Sequence, residues 1–94
     1  MQEKFEVGQV VTTRGVATAC ENDLSFTEEV QRAYLKYIAC DWGDTSEADR
    51  ALNDSAVANH DDRILAKYIT SKGNIFIITE WDRSATTILF ANEY

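Results

Sequence analysis

The chain has 94 residues, a net charge of −7 and no proline. This length predicts one domain, residues 1–94, with a radius of gyration of about 12 Å, and excludes a deep cleft with several walls. Hydrophobic residues make up 45% and charged residues 27%, values that exclude global disorder. The longest aliphatic and aromatic run, residues 75–78, is far too short to cross a bilayer, and the charged start of the chain predicts no signal peptide. We therefore expect a cytoplasmic protein without a membrane partner.

The first elements are a strand and two helices. Residues 7–13 are rich in β-branched side chains and predict a strand, and residues 15–21 predict a short helix after it. Ser25 and Glu28 fit a capping box that would begin the next helix, which is expected to end near Cys40. The inward stripe of this helix follows the helical period and consists of Val30, Ala33, Tyr34, Tyr37 and Ile38.

A connector and a third helix follow. Gly43 lies between Asp41 and Asp44 and is expected to adopt a positive φ. Thr45 or Ser46 is predicted to cap a helix that extends to about Ala58. Its inward face is expected to carry small side chains, those of Ala48, Ala51, Leu52, Ser55 and Ala56.

The last third, residues 64–90, contains three β-rich runs. Turn signals at residues 71–74 and 81–84 separate them, and Lys72-Gly73 suits a hairpin turn. The sequence thus predicts an α+β fold: a three- to four-stranded, mainly antiparallel sheet, with a C-terminal β-meander, covered by two to three helices.

The charge is concentrated in one stretch. Residues 41–62 hold seven acids and a single base, Arg50, and so carry −6 of the net −7. Free nucleic acid is a poor partner for such a surface, and a basic protein surface is a better one. Such a run is usually a solvated face. The functional alternative is a carboxylate row that imitates a short part of a duplex, which carries one phosphate charge per about 1.7 Å.

Several short motifs resemble a known family. They are Asp41-Trp42-Gly43-Asp44, Ile77-Ile78-Thr79-Glu80, Asp82-Arg83-Ser84, Thr86-Thr87-Ile88-Leu89 and Glu93-Tyr94. In this order they resemble the short "plasmid-related" proteins of plasmids, integrative elements and phages. Ala91 stands where members often carry proline. The resemblance supplies no catalytic residues, but it implies a mobile genetic element and favours a role against host defence.

Charge and resemblance together predict a small acidic, non-enzymatic inhibitor or adaptor. It would bind a basic protein surface on a host nucleic-acid-directed defence complex, as anti-CRISPR or anti-restriction proteins do, without a cofactor, a metal or direct nucleic acid binding. The predicted contact residues are Asp41, Trp42, Asp44, Glu47, Asp49, Asp54, Trp81 and Arg83.

Three of these contact residues carry open alternatives. Trp42 either plugs the edge of the core or is offered to a partner. Arg83 either joins Trp81 as an exposed anchor pair or pairs with Glu80 or the 41–44 loop.

Other functions are weighed against this one. Asp41, Asp44, Glu80 and Asp82 could bind Mg²⁺ in a small metal-dependent enzyme, but caps and turns for the aspartates and an exposed strand position for Glu80 are favoured. Cys20, Cys40 and His60 match none of the short zinc signatures, and buried reduced thiols with a loop histidine are favoured. A homodimer that pairs the edges of two sheets is a third possibility.

Overall fold

The computed structural model describes residues 3–94, which form three α-helices and four strands. The elements are β1 (Gln9–Thr12), α1 (Arg14–Asn22), α2 (Leu24–Ile38), α3 (Glu47–Asn59), β2 (Ile64–Thr70), β3 (Gly73–Thr79), β4 (Ala85–Phe90) and a final 3-10 turn (Ala91–Glu93). No helix in this part of the chain has the length and apolarity needed to span a membrane. The expectation of no signal peptide rests partly on Met1 and Gln2, which lie outside the described residues.

The four strands form one mixed sheet in the order β1-β4-β3-β2. β2, β3 and β4 are a meander of antiparallel hairpins, and the predicted turn residue Gly73 has a φ of 106°. β1 joins the other side of β4 in parallel, from Gln9 opposite Ala85 to Thr12 opposite Ile88. The predicted α+β class is therefore confirmed, with β1 as the parallel addition.

The core lies between the sheet and α2. Alternate residues of the meander face it, which is the period-two pattern expected of strands with one covered face. From α2, the predicted stripe is buried except for Tyr34, which is half-buried. The radius of gyration is 12.6 Å. The buried side chains that meet here are those of Phe26, Val30, Ala33, Tyr37, Ile64, Ala66, Ile75, Ile77 and Ile88.

A chain of hydroxyl groups crosses this core. The Tyr37 hydroxyl lies 2.7 Å from Oγ1 of Thr79, which lies 2.7 Å from Oγ1 of Thr86. Thr86 in turn donates to the carbonyl of Val7 at 2.7 Å. Because buried polar groups need partners, these hydrogen bonds make the hydroxyls compatible with the core. They also link α2, β3, β4 and the N-terminal segment.

Two local predictions are wrong. α2 begins one residue after Asp23, whose carboxylate accepts the Phe26 N–H at 3.2 Å, so Ser25 and Glu28 lie inside the helix and form no capping box. Asp23 is a better cap because its carboxylate also meets the positive end of the helix.

The inward face of α3 is also different from the prediction. Asn53 and Ala56 are buried, Val57 is half-buried, and Leu52 is 63% exposed. The helix lies at the edge of the sheet, where β2 offers unpaired backbone groups. An amide side chain is therefore turned inward where apolar residues were expected. The predicted cap is confirmed, since Ser46 accepts the Asp49 N–H at 3.2 Å.

Candidate functional site

The outer edge of β2 is covered by the loop that precedes α3. Gly43 pairs with Lys67 as an isolated parallel bridge, and the Asp44 N–H donates to the Lys67 carbonyl at 2.9 Å. In the other direction, the Lys67 N–H donates to Oγ1 of Thr45 at 2.9 Å, and the Ile69 N–H donates to the Asp44 carboxylate at 3.0 Å. The loop thus acts as a very short fifth strand.

Asn53 completes this cover from α3. Its Nδ2 donates to the Leu65 carbonyl at 2.9 Å, and its Oδ1 accepts the Leu65 N–H at 3.2 Å. The amide makes the two hydrogen bonds that a neighbouring strand would make. The outward N–H groups of Leu65, Lys67 and Ile69 are therefore all paired, and the β2 edge is closed to further strands.

Gly43 is required at this loop. Its φ is 62°, as predicted, and a Cβ atom there would lie 2.4 Å from the Tyr68 ring. The Tyr68 hydroxyl donates to the Asp41 carbonyl at 2.8 Å, and burial raises the pKa of this phenol above its ordinary value. A side chain at position 43 would separate the loop from β2.

Trp42 plugs the edge of the core. It is 3% exposed and lies 5.5 Å from the Tyr37 ring and 6.0 Å from the Phe5 ring, measured between centroids. Its indole N–H donates to the Asp54 carboxylate at 2.8 Å. Of the two alternatives, the plug is therefore confirmed, and a Trp42 offered to a partner is wrong for this conformation.

Arg83 is buried in the β3–β4 turn, with 8% of its surface exposed. The guanidinium donates to five backbone carbonyls, at Ala56 (2.8 Å), Asp61 (3.2 Å), Asp62 (2.7 Å), Glu80 (3.3 Å) and Trp81 (3.0 Å). The exposed anchor pair with Trp81 is wrong. Arg83 does bond to Glu80, but through the backbone carbonyl and not the carboxylate, and it makes no bond to the 41–44 loop. The free carbonyls at the C-terminal end of α3 attract the cation, because that end carries the negative pole of the helix.

Trp81 and Asp82 lie at the surface of the same turn. Trp81 is 66% exposed. Asp82 accepts the Ser84 N–H at 3.0 Å, and hydrogen bonding to Ser84 holds the pKa of this carboxyl below its ordinary value. The turn interpretation of Asp82 is confirmed.

The remaining acids form the outer surface of this side of the molecule. We call residues 41–62, which flank β2 as loop and helix, the acidic edge. Four of its carboxylates accept hydrogen bonds: Asp41 from the Gly43 N–H at 3.1 Å, Asp44 from the Ile69 N–H, Asp54 from the Trp42 indole, and Asp62 from the Arg63 N–H at 2.7 Å. Among the hydrogen bonds of residues 3–94, none uses the carboxylates of Glu47, Asp49 or Asp61, which are exposed at the two ends of α3.

The four carboxylates of the alternative metal site lie apart. Asp44 lies beside Ile69 near one end of β2, whereas Glu80 follows Thr79, which pairs with Ile64 at the other end. Five residues of strand separate the two places by roughly 16 Å. Within residues 3–94, no three His, Cys, Asp or Glu side chains are placed to hold one ion.

The cysteines are also separated. The carbonyl of Cys20 accepts a hydrogen bond from Thr27 at the start of α2, and Cys40 follows the end of that helix. A helix of 15 residues is about 22 Å long, so a shared zinc site with His60 is wrong. Both thiols are free and half-buried against the core, as predicted, and burial raises the pKa of Cys40.

Comparisons add no relative to this description. The resemblance to the plasmid-related family stays a prediction carried by the motifs above. Set against protein-family models, curated proteins and solved structures, the chain matches none of them.

Proposed function

We propose that this chain is a non-enzymatic inhibitor or adaptor that binds a basic protein surface through its acidic edge. The observation that carries the proposal is the placement of charge: −6 of the net −7 belongs to residues 41–62, and these residues flank one edge of the sheet. A field of one sign on one side of a small protein speeds and orients encounter with a surface of the opposite sign.

The acids are held in place before any partner arrives. Asp41, Asp44 and Asp54 each accept a hydrogen bond from a group of the protein through one carboxylate oxygen, which leaves the second oxygen for a partner. Because these side chains are already ordered, binding costs less conformational entropy than it would with free acids. Trp42 and Arg83 contribute by holding the surface together, and Trp81 is exposed and available for contact.

The density of charge favours partial imitation of nucleic acid. α3 has 13 residues and is about 20 Å long, a distance over which a duplex carries about a dozen phosphates. The −6 of the acidic edge is about half of that charge. A basic channel that normally holds nucleic acid is therefore a suitable partner, and the resemblance to plasmid-related proteins favours a host defence complex of the CRISPR or restriction type.

The test uses the acids whose carboxylates accept no hydrogen bond within residues 3–94. A Glu47→Gln/Asp49→Asn/Asp61→Asn variant removes three charges from the acidic edge. A Glu6→Gln/Glu21→Gln/Glu28→Gln variant removes three exposed charges elsewhere and is the matched control. Each protein is immobilised, exposed to nuclease-treated host lysate, and eluted with a salt gradient before mass spectrometry.

We expect a basic nucleic-acid-handling protein to bind the unaltered protein and the control, and to elute from the acidic-edge variant at lower salt. Equal retention by all three proteins, or equal weakening by both variants, would contradict a local contact. Melting curves of the variants separate lost binding from lost folding, since Glu47 and Asp49 also stabilise the N-terminal end of α3.

A further inference from the structure

The opposite edge of the sheet is open. β1 bonds to β4 through alternate residues: the Gln9 N–H donates to the Ser84 carbonyl at 3.1 Å, and the Thr13 N–H donates to the Ile88 carbonyl at 3.0 Å. In a parallel pair with this register, Gln9, Val11 and Thr13 direct their backbone groups toward β4. The alternate residues, Val10 and Thr12, direct their N–H and C=O groups away from the sheet. Val10 and Thr12 therefore present two donors and two acceptors, and no hydrogen bond within residues 3–94 is recorded for these donors.

This edge lacks the usual protection. Free strands are normally shielded by charges, proline, bulges or a covering loop, because their backbone groups pair with other chains. All four residues of β1 are exposed, none is charged, and Val10 is 43% exposed. An apolar groove between α2 and β4 is lined by Val30, Gln31, Tyr34, Leu35 and Ile88, the last of which is the partner of Thr12 in β1.

We propose that two copies of the chain pair through β1 in an antiparallel dimer with a two-fold axis at Val11. In this register Val10 faces Thr12 of the second copy, and Thr12 faces Val10. Each of these two pairs exchanges both backbone hydrogen bonds, so four bonds form. The two Val11 side chains meet on the axis, and the two four-stranded sheets become one sheet of eight strands.

Repulsion between the two acidic edges is weak in this dimer. β1 and β2 are the two outer strands, so the dimer places the two β2 edges, with their acidic edges, at opposite ends of the joined sheet. Seven strand spacings separate the two β2 strands by roughly 34 Å. That distance is several times the Debye length of about 8–10 Å at moderate salt, so repulsion between the acidic edges is screened.

The closed β2 edge limits the assembly to two copies. Asn53, Thr45 and Asp44 occupy the backbone groups of β2, so each chain offers one edge alone. A two-fold contact consumes that edge in both copies, and a filament cannot grow. The dimer is independent of the proposed function, although it would present two acidic edges to partners.

Sedimentation velocity over a concentration series tests the dimer. Val10→Pro removes the outward N–H of Val10 and leaves the bonds to β4 in place. Because each copy loses one donor, two of the four bonds between the copies are lost, and the dissociation constant of the dimer should rise about thirtyfold. Val11→Lys leaves every backbone bond in place and sets two cations against each other on the axis. Ile69→Lys, an exposed position on β2, is the matched control.

We expect a concentration-dependent dimer for the unaltered chain and for Ile69→Lys, and monomers for both β1 variants with unchanged circular dichroism. A monomer of the unaltered chain at every concentration would overturn the proposal. A dimer that persists in Val11→Lys would overturn it equally, because the contact would then lie elsewhere, whether or not Val10→Pro folds.

Discussion

The two outer strands of the sheet, β2 and β1, differ in whether their outward backbone groups have hydrogen-bond partners. At β2, Asn53, Thr45 and Asp44 supply side-chain partners for the backbone and leave no free edge. At β1, no group within residues 3–94 covers the outward backbone of Val10 and Thr12. This chain thus closes an edge with short polar side chains, and one of the acids, Asp44, takes part in closing it.

Sequence composition follows the same division. The stretch that covers β2 is rich in Asp, Asn, Ser and Thr, whose short side chains can replace a strand's hydrogen bonds. β1 reads Gln-Val-Val-Thr and has no charge. One edge therefore favours contacts through charged side chains, and the other favours contacts through the backbone.

The largest expected loss of stability comes from a substitution of Arg83, which holds the end of α3 beside the closed edge. Arg83→Met keeps the length of the side chain but removes the donors to five carbonyls that join the end of α3 to the β3–β4 turn. We expect the free energy of unfolding to fall by about 3 kcal/mol or more, because several buried acceptors lose their partner. Chemical denaturation measures this loss.

Arg63→Met is the matched control. Arg63 is exposed and donates to the Tyr94 hydroxyl, so its loss should change stability by no more than about 0.5 kcal/mol. Comparable losses in the two variants would show that Arg83 does not hold the closed edge.

Asn53→Ala opens the closed edge directly. It leaves the N–H and C=O of Leu65 without partners, and we expect a loss of about 2 kcal/mol in the free energy of unfolding. Asn59→Ala, which removes an exposed bond to Ser55, is the control and should be nearly neutral. If both variants unfolded at the same denaturant concentration, the amide of Asn53 would not be closing the edge.

The third prediction concerns alkaline pH. Burial raises the pKa of Tyr37 and of Tyr68, whose hydroxyl joins β2 to the covering loop. An unfolded phenol ionises near pH 10, so the unfolded chain loses protons first above that pH and becomes favoured. Stability should be fully present below about pH 10 and fall above it, by up to about 1.4 kcal/mol per pH unit for each tyrosine.

Denaturation at a series of pH values from about 8 to about 11.5, on both sides of the ordinary phenol pKa, measures this slope. Tyr68→Phe should reduce it by about half, because one of the two buried phenols is gone. Tyr94→Phe, which alters an exposed ring, should keep the slope of the unaltered protein. An unchanged slope in Tyr68→Phe would contradict a buried, protonated Tyr68.

Local patterns predicted much of this fold. The stripe of α2 and the three strands of the meander follow periods of 3.6 and 2, which depend on neighbouring residues alone. The inward orientation of the Asn53 side chain could not be predicted this way, because its hydrogen-bond partner is the backbone of Leu65, twelve residues away. The parallel pairing of β1 with β4 depends on contacts still further apart in the chain.

The candidate site was predicted less well than the fold. The acidic stretch was visible in the sequence, but which of its carboxylates hold structure was not. Arg83 was misplaced because its five acceptors are backbone groups from three separate segments, and backbone groups leave no mark on residue type.

Residue-resolved amide hydrogen exchange, measured in dilute solution by NMR, tests the contrast between the two edges most directly. We expect slow exchange at Leu65, Lys67 and Ile69. Along β1 we expect alternation, with Gln9 and Val11 protected by β4 and with Val10 and Thr12 exchanging rapidly. Exchange at Leu65 and Lys67 as fast as at Val10 and Thr12 would contradict the claim that one edge is closed and the other open.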